Sequence, residues 1–158
     1  MPVHLRDEFL NLEQVTIERL DHIGVVVEDL EGAIEFFVEL GLELHGEGAV
    51  EGDWVDRVVG LEGVRADIAM LATPDGQRVE LSRFHAPEVG VADRGASANA
   101  VGIRHIAFGV TDIDAMVAGA RERGIELVGE LERYDDRFRL CYVRGPEGII
   151  VELAERLG

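Results

Sequence analysis

Two stretches of the chain align with each other without a gap, and this repeat constrains the fold more than any other feature. Residues 20–44 (LDHIGVVVEDLEGAIEFFVELGLEL) align with residues 103–127 (IRHIAFGVTDIDAMVAGARERGIEL), so that His105 follows His22 by 83 positions. A repeat of this length indicates one supersecondary unit used twice, with equivalent residues related by a pseudo-twofold axis.

A second pair of segments aligns with a shorter spacing. Residues 73–81 (TPDGQRVEL) match residues 145–153 (GPEGIIVEL), which places Glu152 72 positions after Glu80. The two spacings differ by 11 residues, so the first copy carries an insertion, which we place within residues 45–65. Each copy therefore contributes one histidine near its beginning and one glutamate near its end.

Composition limits the number of domains and the classes of partner that this protein can have. A chain of 158 residues with 47% hydrophobic content forms one well-buried domain. A net charge of −17 disfavours nucleic acids and anionic membranes as partners. All fifteen cationic residues are arginine, which excludes chemistry that needs a lysine, such as a Schiff base. A single cysteine and the lack of a signal-like N-terminus predict a cytoplasmic protein.

The repeat divides the chain into four segments. We predict an N-terminal leader at residues 1–18 and a single domain at 19–158, which consists of module 1 (19–84), a linker (85–100) and module 2 (101–158).

Apolar periodicity, β-branched runs and turn residues predict the order βαβββ in each module. Asp29 and Asp112 are the predicted helix N-caps, and Gly41 and Gly124 the predicted stops. For module 1 the predicted ranges are strand 20–27, helix 30–40 and strands 42–44, 66–72 and 77–84, with one helical turn inside 52–63. For module 2 they are strand 103–110, helix 113–123 and strands 125–131, 139–144 and 149–154.

Strand parity places the four repeated polar side chains on equivalent faces. Successive side chains of a strand alternate between faces, so His22 and His105 each share a face with small residues, opposite a bulky face that we expect under the helix. The same alternation points Glu80 and Glu152 to the side of the histidines. Small residues beside polar ones indicate a cleft with room for a ligand.

Two imidazoles and two carboxylates suit a divalent cation such as Zn²⁺, Ni²⁺, Co²⁺, Mn²⁺ or Fe²⁺. The alternative is a pair of buried His–Glu ion pairs that only hold the two halves together. A metal site explains the symmetric placement of all four groups more simply, so the sequence predicts one bound divalent ion.

These motifs resemble the vicinal oxygen chelate superfamily, which includes glyoxalase I, methylmalonyl-CoA epimerase, extradiol dioxygenases and antibiotic-binding proteins. The resemblance covers nearly all of the chain outside the leader and the linker, and it rests on DHIGVVVEDLEGAIEFF, VELSRF, RHIAFGVTDID and GPEGIIVELAE. It implies an α+β fold in which two tandem βαβββ modules form a curved mixed β-sheet around a metal cleft. It also implies His22, Glu80, His105 and Glu152 as the metal ligands.

The ligand set favours some members over others. Extradiol dioxygenases have histidine at the position of Glu80, so an iron dioxygenase is disfavoured, and antibiotic-binding members commonly lack the metal ligands. The resemblance therefore implies an isomerase or lyase, similar to methylmalonyl-CoA epimerase or glyoxalase I. In this reading Glu152 is a catalytic base, Glu80 a second candidate base, and the substrate a small carbonyl compound or thioester. The alternative is a small-molecule or antibiotic-binding protein of the same fold.

Substrate contacts are less constrained by the sequence. Arg78 shares the predicted cleft face with Glu80, and we expect Arg104 near the rim of the cleft, so either guanidinium is a candidate to bind a carboxylate or phosphate. Trp54, in the insertion, is a candidate lid residue or an apolar plug. We expect a homodimer, in which the modules pair either within a chain or between chains.

Overall fold

The computed structural model describes residue 17 and residues 19–90 and 93–158. Except for residue 17, the predicted leader lies outside this range, and the linker is described apart from residues 91 and 92. Among the described residues, no helix combines the length and the apolar character needed to cross a bilayer.

Each half of the domain folds as one βαβββ unit. The elements of the first unit are β1 (Ile23–Val26), α1 (Leu30–Leu40), β2 (Glu43–Glu51), a short helix α2 (Asp53–Val59), β3 (Arg65–Ala72) and β4 (Arg78–Ala86). Those of the second are β5 (His105–Val110), α3 (Ile113–Glu122), β6 (Glu132–Tyr134), β7 (Phe138–Arg144), a 3-10 turn (Pro146–Gly148) and β8 (Ile150–Arg156). The predicted α+β architecture with two repeated modules is confirmed.

The strands form two four-stranded mixed sheets with the same topology. The strand orders are β1-β4-β3-β2 and β5-β8-β7-β6. In each sheet the first strand runs parallel to the last, and the other neighbours are antiparallel. The equivalent sheet registers show that the sequence repeat is a structural repeat.

Both long helices begin where the sequence predicts and end within one residue of the predicted position. The Asp29 carboxylate accepts a hydrogen bond of 3.0 Å from the backbone N–H of Gly32, and that of Asp112 accepts an equivalent bond from Ala115. Helix α1 ends at Gly41, whose φ of 116° requires a residue without a side chain. The helical turn predicted in the insertion is also present, as α2.

Two strand predictions differ from the structure. The strand predicted at 42–44 extends over nine residues as β2, because its pairing with β3 continues through the first residues of the predicted insertion, up to Glu51. Because most of its residues are exposed, β2 can be rich in glycine and glutamate, and its composition therefore does not indicate a strand. The strand predicted at 125–131 is wrong: Leu127 forms only an isolated bridge with Val143, and the short β6 occupies the sheet edge.

One apolar core joins the two modules. It combines buried residues from both helices and both sheets, including Phe37 from α1, Val117 from α3, and Leu81 and Leu153 from the two sheets. The ring of Phe37 lies 6.3 Å from that of Phe108 in an edge-on arrangement. The bulky faces of the strands lie under the helices, as predicted, and in addition those of the two modules meet in one core, whereas the opposite sheet faces point outward.

The buried Cys141 belongs to this core. Burial raises the pKa of its thiol, which keeps the group protonated.

A second link between the modules is polar. The Glu147 carboxylate accepts hydrogen bonds from the backbone N–H groups of Glu28 (2.5 Å) and Asp29 (3.3 Å), at the beginning of α1. The Glu147 side chain is 13% exposed and also pairs with Arg94 of the linker. The turn of module 2 therefore binds the start of the helix of module 1.

We expect Glu147→Ala to destabilise the protein by about 1–3 kcal/mol, because it leaves two backbone donors without their charged acceptor. Urea unfolding measured by circular dichroism gives this free energy. The control is Asp75→Ala, at the equivalent exposed turn of module 1, where the carboxylate bonds only locally to Thr73. That change should cost less than about 0.5 kcal/mol. Equal losses in the two variants would contradict the proposed link.

Candidate functional site

The first half of the site lies where β1 and β4 run side by side. His22 immediately precedes β1, and Gly24 pairs with Glu80 in the parallel register. This register places Nε2 of His22 3.6 Å from Oε2 of Glu80. The Glu80 side chain is 26% exposed, so the pair faces solvent on the outward side of the first sheet.

The second half repeats this arrangement on β5 and β8. Ala107 pairs with Glu152, as Gly24 does with Glu80, and Nε2 of His105 lies 3.7 Å from Oε2 of Glu152. The Glu152 side chain is 20% exposed. The structure thus brings together each predicted histidine with the glutamate of its own module.

The two halves do not meet within one chain. Across residues 19–90 and 93–158, no three His, Cys, Asp or Glu side chains lie close enough together to hold a metal ion. The sequence prediction that all four ligands share one cleft therefore stays a prediction, and it requires another way of bringing the halves together.

The donor spacing within each pair fits a shared ion better than a hydrogen bond. A hydrogen bond between imidazole and carboxylate brings the two atoms to about 2.7–3.2 Å, whereas the observed distances are 3.6 and 3.7 Å. Two donors that each lie about 2.0–2.2 Å from one ion are separated by no more than about 4.4 Å. Each pair can therefore supply two ligands to one divalent cation, with no rearrangement of its own strands.

An acidic neighbour that the sequence analysis missed holds the first histidine. Oδ2 of Asp21 lies 2.8 Å from Nδ1 of His22 and 2.7 Å from Nη2 of Arg78, and Arg19 approaches the other carboxylate oxygen at 3.3 Å. The hydrogen bond from His22 is the main cause that holds the pKa of the Asp21 carboxyl below its usual value; desolvation opposes it, and the charge and hydrogen bond of Arg78 add to the lowering. The repeat gave no signal for Asp21, because Arg104 occupies the equivalent position.

A tyrosine that the sequence analysis also missed lies beside the second histidine. The Tyr142 hydroxyl is 3.4 Å from Nδ1 of His105, and the two ring centroids are 4.9 Å apart. Tyr142 pairs with Glu152 across β7 and β8, whereas the equivalent position opposite Glu80 is Met70. The two halves therefore share their ligand types but differ in the groups around them.

The three predicted substrate contacts lie in different surroundings. Arg78 lies beside His22, where its guanidinium is paired with Asp21. Arg104 donates a hydrogen bond of 3.1 Å to the carbonyl of the adjacent Ile103. Trp54 is 55% exposed on α2, which follows β2, the strand farthest from β1 in its sheet. Only Arg78 is therefore connected to a His–Glu pair by a described contact.

A pocket of about 620 Å³ lies between the modules, next to the first pair. His22, Asp21 and Arg78 contribute to its polar wall, and Phe108 and Met116 of module 2 to its apolar wall. Glu80, His105 and Glu152 are not among its lining residues. The pocket is therefore a space that flanks one pair rather than the place where the four ligands would meet.

Comparison with known proteins connects this geometry to a protein family. The sequence profile described as "Glyoxalase/Bleomycin resistance protein/Dioxygenase superfamily" matches residues 21–142. A 2-epi-5-epi-valiolone epimerase from Actinomyces sp is 32% identical over 142 residues, which cover 84% of this chain and 76% of the relative.

Solved structures share the fold. A glyoxalase family protein from Bacillus cereus superimposes with a TM-score of 0.89 at 47% identity, over 93% of this chain and 99% of that one. The glyoxalase I of Leishmania major superimposes with a TM-score of 0.62 at 21% identity, over 88% of this chain and 87% of the other, and so resembles it in fold alone.

Proposed function

The chain belongs to the glyoxalase/bleomycin resistance protein/dioxygenase superfamily, and on this premise we propose that it is a divalent-metal-dependent isomerase or lyase. The reaction is proton transfer at the carbon next to a carbonyl group. The observation that carries the proposal is the spacing of 3.6 and 3.7 Å between histidine nitrogen and glutamate oxygen in two equivalent pairs.

Each pair alone supplies only two ligands, so we propose that a homodimer completes the site. His22 and Glu80 of one protomer would lie opposite the other protomer's copies of His105 and Glu152. Both pairs lie on outward sheet faces, and the pseudo-twofold repeat gives these faces similar shapes. A twofold axis between protomers would then create two identical sites.

The residues of the site divide the chemistry among them. His22 and His105, with Glu80 and Glu152, would hold the cation. When bound, a divalent cation polarises a substrate carbonyl and so weakens the neighbouring C–H bond. The Glu152 carboxylate would accept that proton, while the electron pair of the broken bond moves toward the carbonyl oxygen. In the proposed dimer Glu80 comes from the opposite wall of the cleft.

Two carboxylates on opposite walls suit an epimerase in particular. If Glu152 takes a proton from one face of the carbon and Glu80 returns one to the other face, the stereocentre is inverted with no net change in protonation. The 32% identical relative is named as an epimerase, and the ending of valiolone denotes a ketone. We therefore favour epimerisation next to a ketone or thioester carbonyl over the lyase reaction.

The charge and the thiol of the protein support a small-molecule substrate and a cytoplasmic location. The net charge of −17 favours a small-molecule substrate over nucleic acid or an anionic membrane. A single reduced and buried cysteine is in keeping with a cytoplasmic protein.

The first test is metal binding combined with solvent-deuterium exchange. Protein purified without chelator should contain about one divalent ion per protomer by mass spectrometry. It should also catalyse deuterium incorporation next to the carbonyl of one of three candidates: 2-epi-5-epi-valiolone, methylmalonyl-CoA, or the hemithioacetal of methylglyoxal with a thiol. Glu152→Gln should slow exchange by about 100-fold or more, because the amide cannot accept the proton.

The matched control is Glu155→Gln, on the same strand but on the opposite face, which should leave exchange unchanged. Protein that contains no metal and takes up none would refute the proposal. Unchanged ligand affinity in Glu152→Gln would then favour a binding protein of the same fold.

The second test asks whether two protomers share a site. The Glu80→Gln variant carries its defect in module 1, and the Glu152→Gln variant carries its defect in module 2. A heterodimer of the two variants therefore contains one site with both defects and one intact site. Random exchange of protomers yields half heterodimers, and activity should recover to about a quarter of the wild-type value.

Mixing Glu80→Gln with His22→Ala should restore nothing, because both changes lie in module 1. If the mixture of Glu80→Gln and Glu152→Gln recovers no activity although protomers have exchanged, the proposed shared site is wrong.

A further inference from the structure

Three side chains form a chain of contacts behind the first candidate ligand. Arg78 donates a hydrogen bond of 2.7 Å to Oδ2 of Asp21, and the same oxygen lies 2.8 Å from Nδ1 of His22. Arg19 approaches the other oxygen of Asp21 at 3.3 Å. Asp21 is thus fixed by guanidinium groups on one side and by the imidazole on the other.

This arrangement decides which nitrogen of His22 carries the hydrogen. An ionised carboxylate only accepts hydrogen bonds, so Nδ1 of His22 must be the donor. A neutral imidazole has one N–H group, and Nε2 is then left with a free lone pair. Nε2 is the atom that faces Glu80, at 3.6 Å.

We propose that Asp21 is a positioning residue that holds His22 in the Nδ1–H form, with Nε2 directed to the metal. The inference rests on the proposed function, since it assigns a role to Asp21 through the metal ligand His22. In metal sites generally, a carboxylate partner on the distal nitrogen orients the ring and makes the ligand more basic.

The second half of the site has no equivalent of this arrangement. Arg104 and Ile150 stand where the repeat would place counterparts of Asp21 and Arg78. Nδ1 of His105 instead faces the Tyr142 hydroxyl at 3.4 Å, a long contact with an uncharged group. The first histidine is therefore the better oriented ligand, and metal affinity should depend more on Asp21 than on Tyr142.

The direct test is the tautomer of His22 in the metal-free protein. Long-range ¹H–¹⁵N spectra recorded at about pH 8.5, where an ordinary histidine is neutral, distinguish Nδ1–H from Nε2–H. His22→Gln identifies the signals among the five histidines. Wild-type His22 should be the Nδ1–H form, and Asp21→Ala should shift it toward Nε2–H.

Asp21→Asn should keep the Nδ1–H form, because the amide oxygen still accepts the hydrogen bond. Tyr142→Phe should leave His22 unchanged. A wild-type Nε2–H form, or a tautomer that does not respond to Asp21→Ala, would overturn the inference.

The second readout is affinity for Co²⁺ alone, measured by competition with a chromogenic chelator. Asp21→Ala should weaken binding by about 10- to 100-fold, and Asp21→Asn should recover most of the loss. Tyr142→Phe should weaken binding by less than about 3-fold. Arg78→Gln should have a smaller effect than Asp21→Ala and add nothing to it in the double variant, because both act through the same contact.

If Asp21 had only a structural role, Asp21→Ala would lower the midpoint of thermal unfolding. We expect no such change, because the Asp21 side chain is 48% exposed. Wild-type protein that binds no Co²⁺ would refute the proposed function, while the tautomer measurement would still decide the role of Asp21. Wild-type binding that Asp21→Ala does not weaken would refute the metal-positioning role alone.

Discussion

The shared apolar core between the modules is the constraint on which the rest of the structure depends. Because Phe37, Phe108 and their neighbours bury the helix-facing sides of both sheets together, each sheet must present its other face to the outside. The histidines and glutamates lie on that other face. Burial of apolar surface, the dominant favourable term in folding, therefore keeps each polar pair intact while separating the two pairs within a chain.

Much of the fold could be predicted because the signals are local and repeated. Asp29 and Asp112 cap helices through contacts within four residues, and strand alternation is sufficient to assign Ile106 to the core and His105 to the surface. The length of β2 could not be predicted, since an exposed edge strand places little demand on side-chain composition. Its pairing depends on the next strand, β3, rather than on residues within β2 itself.

The candidate site was likewise predictable only in part. The repeat identified four ligand candidates, because a duplicated unit keeps equivalent positions equivalent. Asp21 and Tyr142 escaped detection for the same reason: each is present in one copy only. The contact of Asp21 with Arg78 joins residues that are far apart in the sequence, so only the parallel pairing of β1 and β4 reveals it. The specific chemistry of the protein is therefore expected in the differences between the modules, where sequence comparison within the chain gives no guidance.

The exposed edge formed by β2 limits how copies of this chain can associate. Nine residues with an open row of backbone donors and acceptors would ordinarily invite another strand to pair and sheets to grow end to end. Glu43, Glu47 and Glu51 are spread along this edge, and the protein as a whole carries an excess of negative charge. Strand pairing between copies would bring rows of carboxylates together, and their repulsion opposes fibre-like growth along this edge.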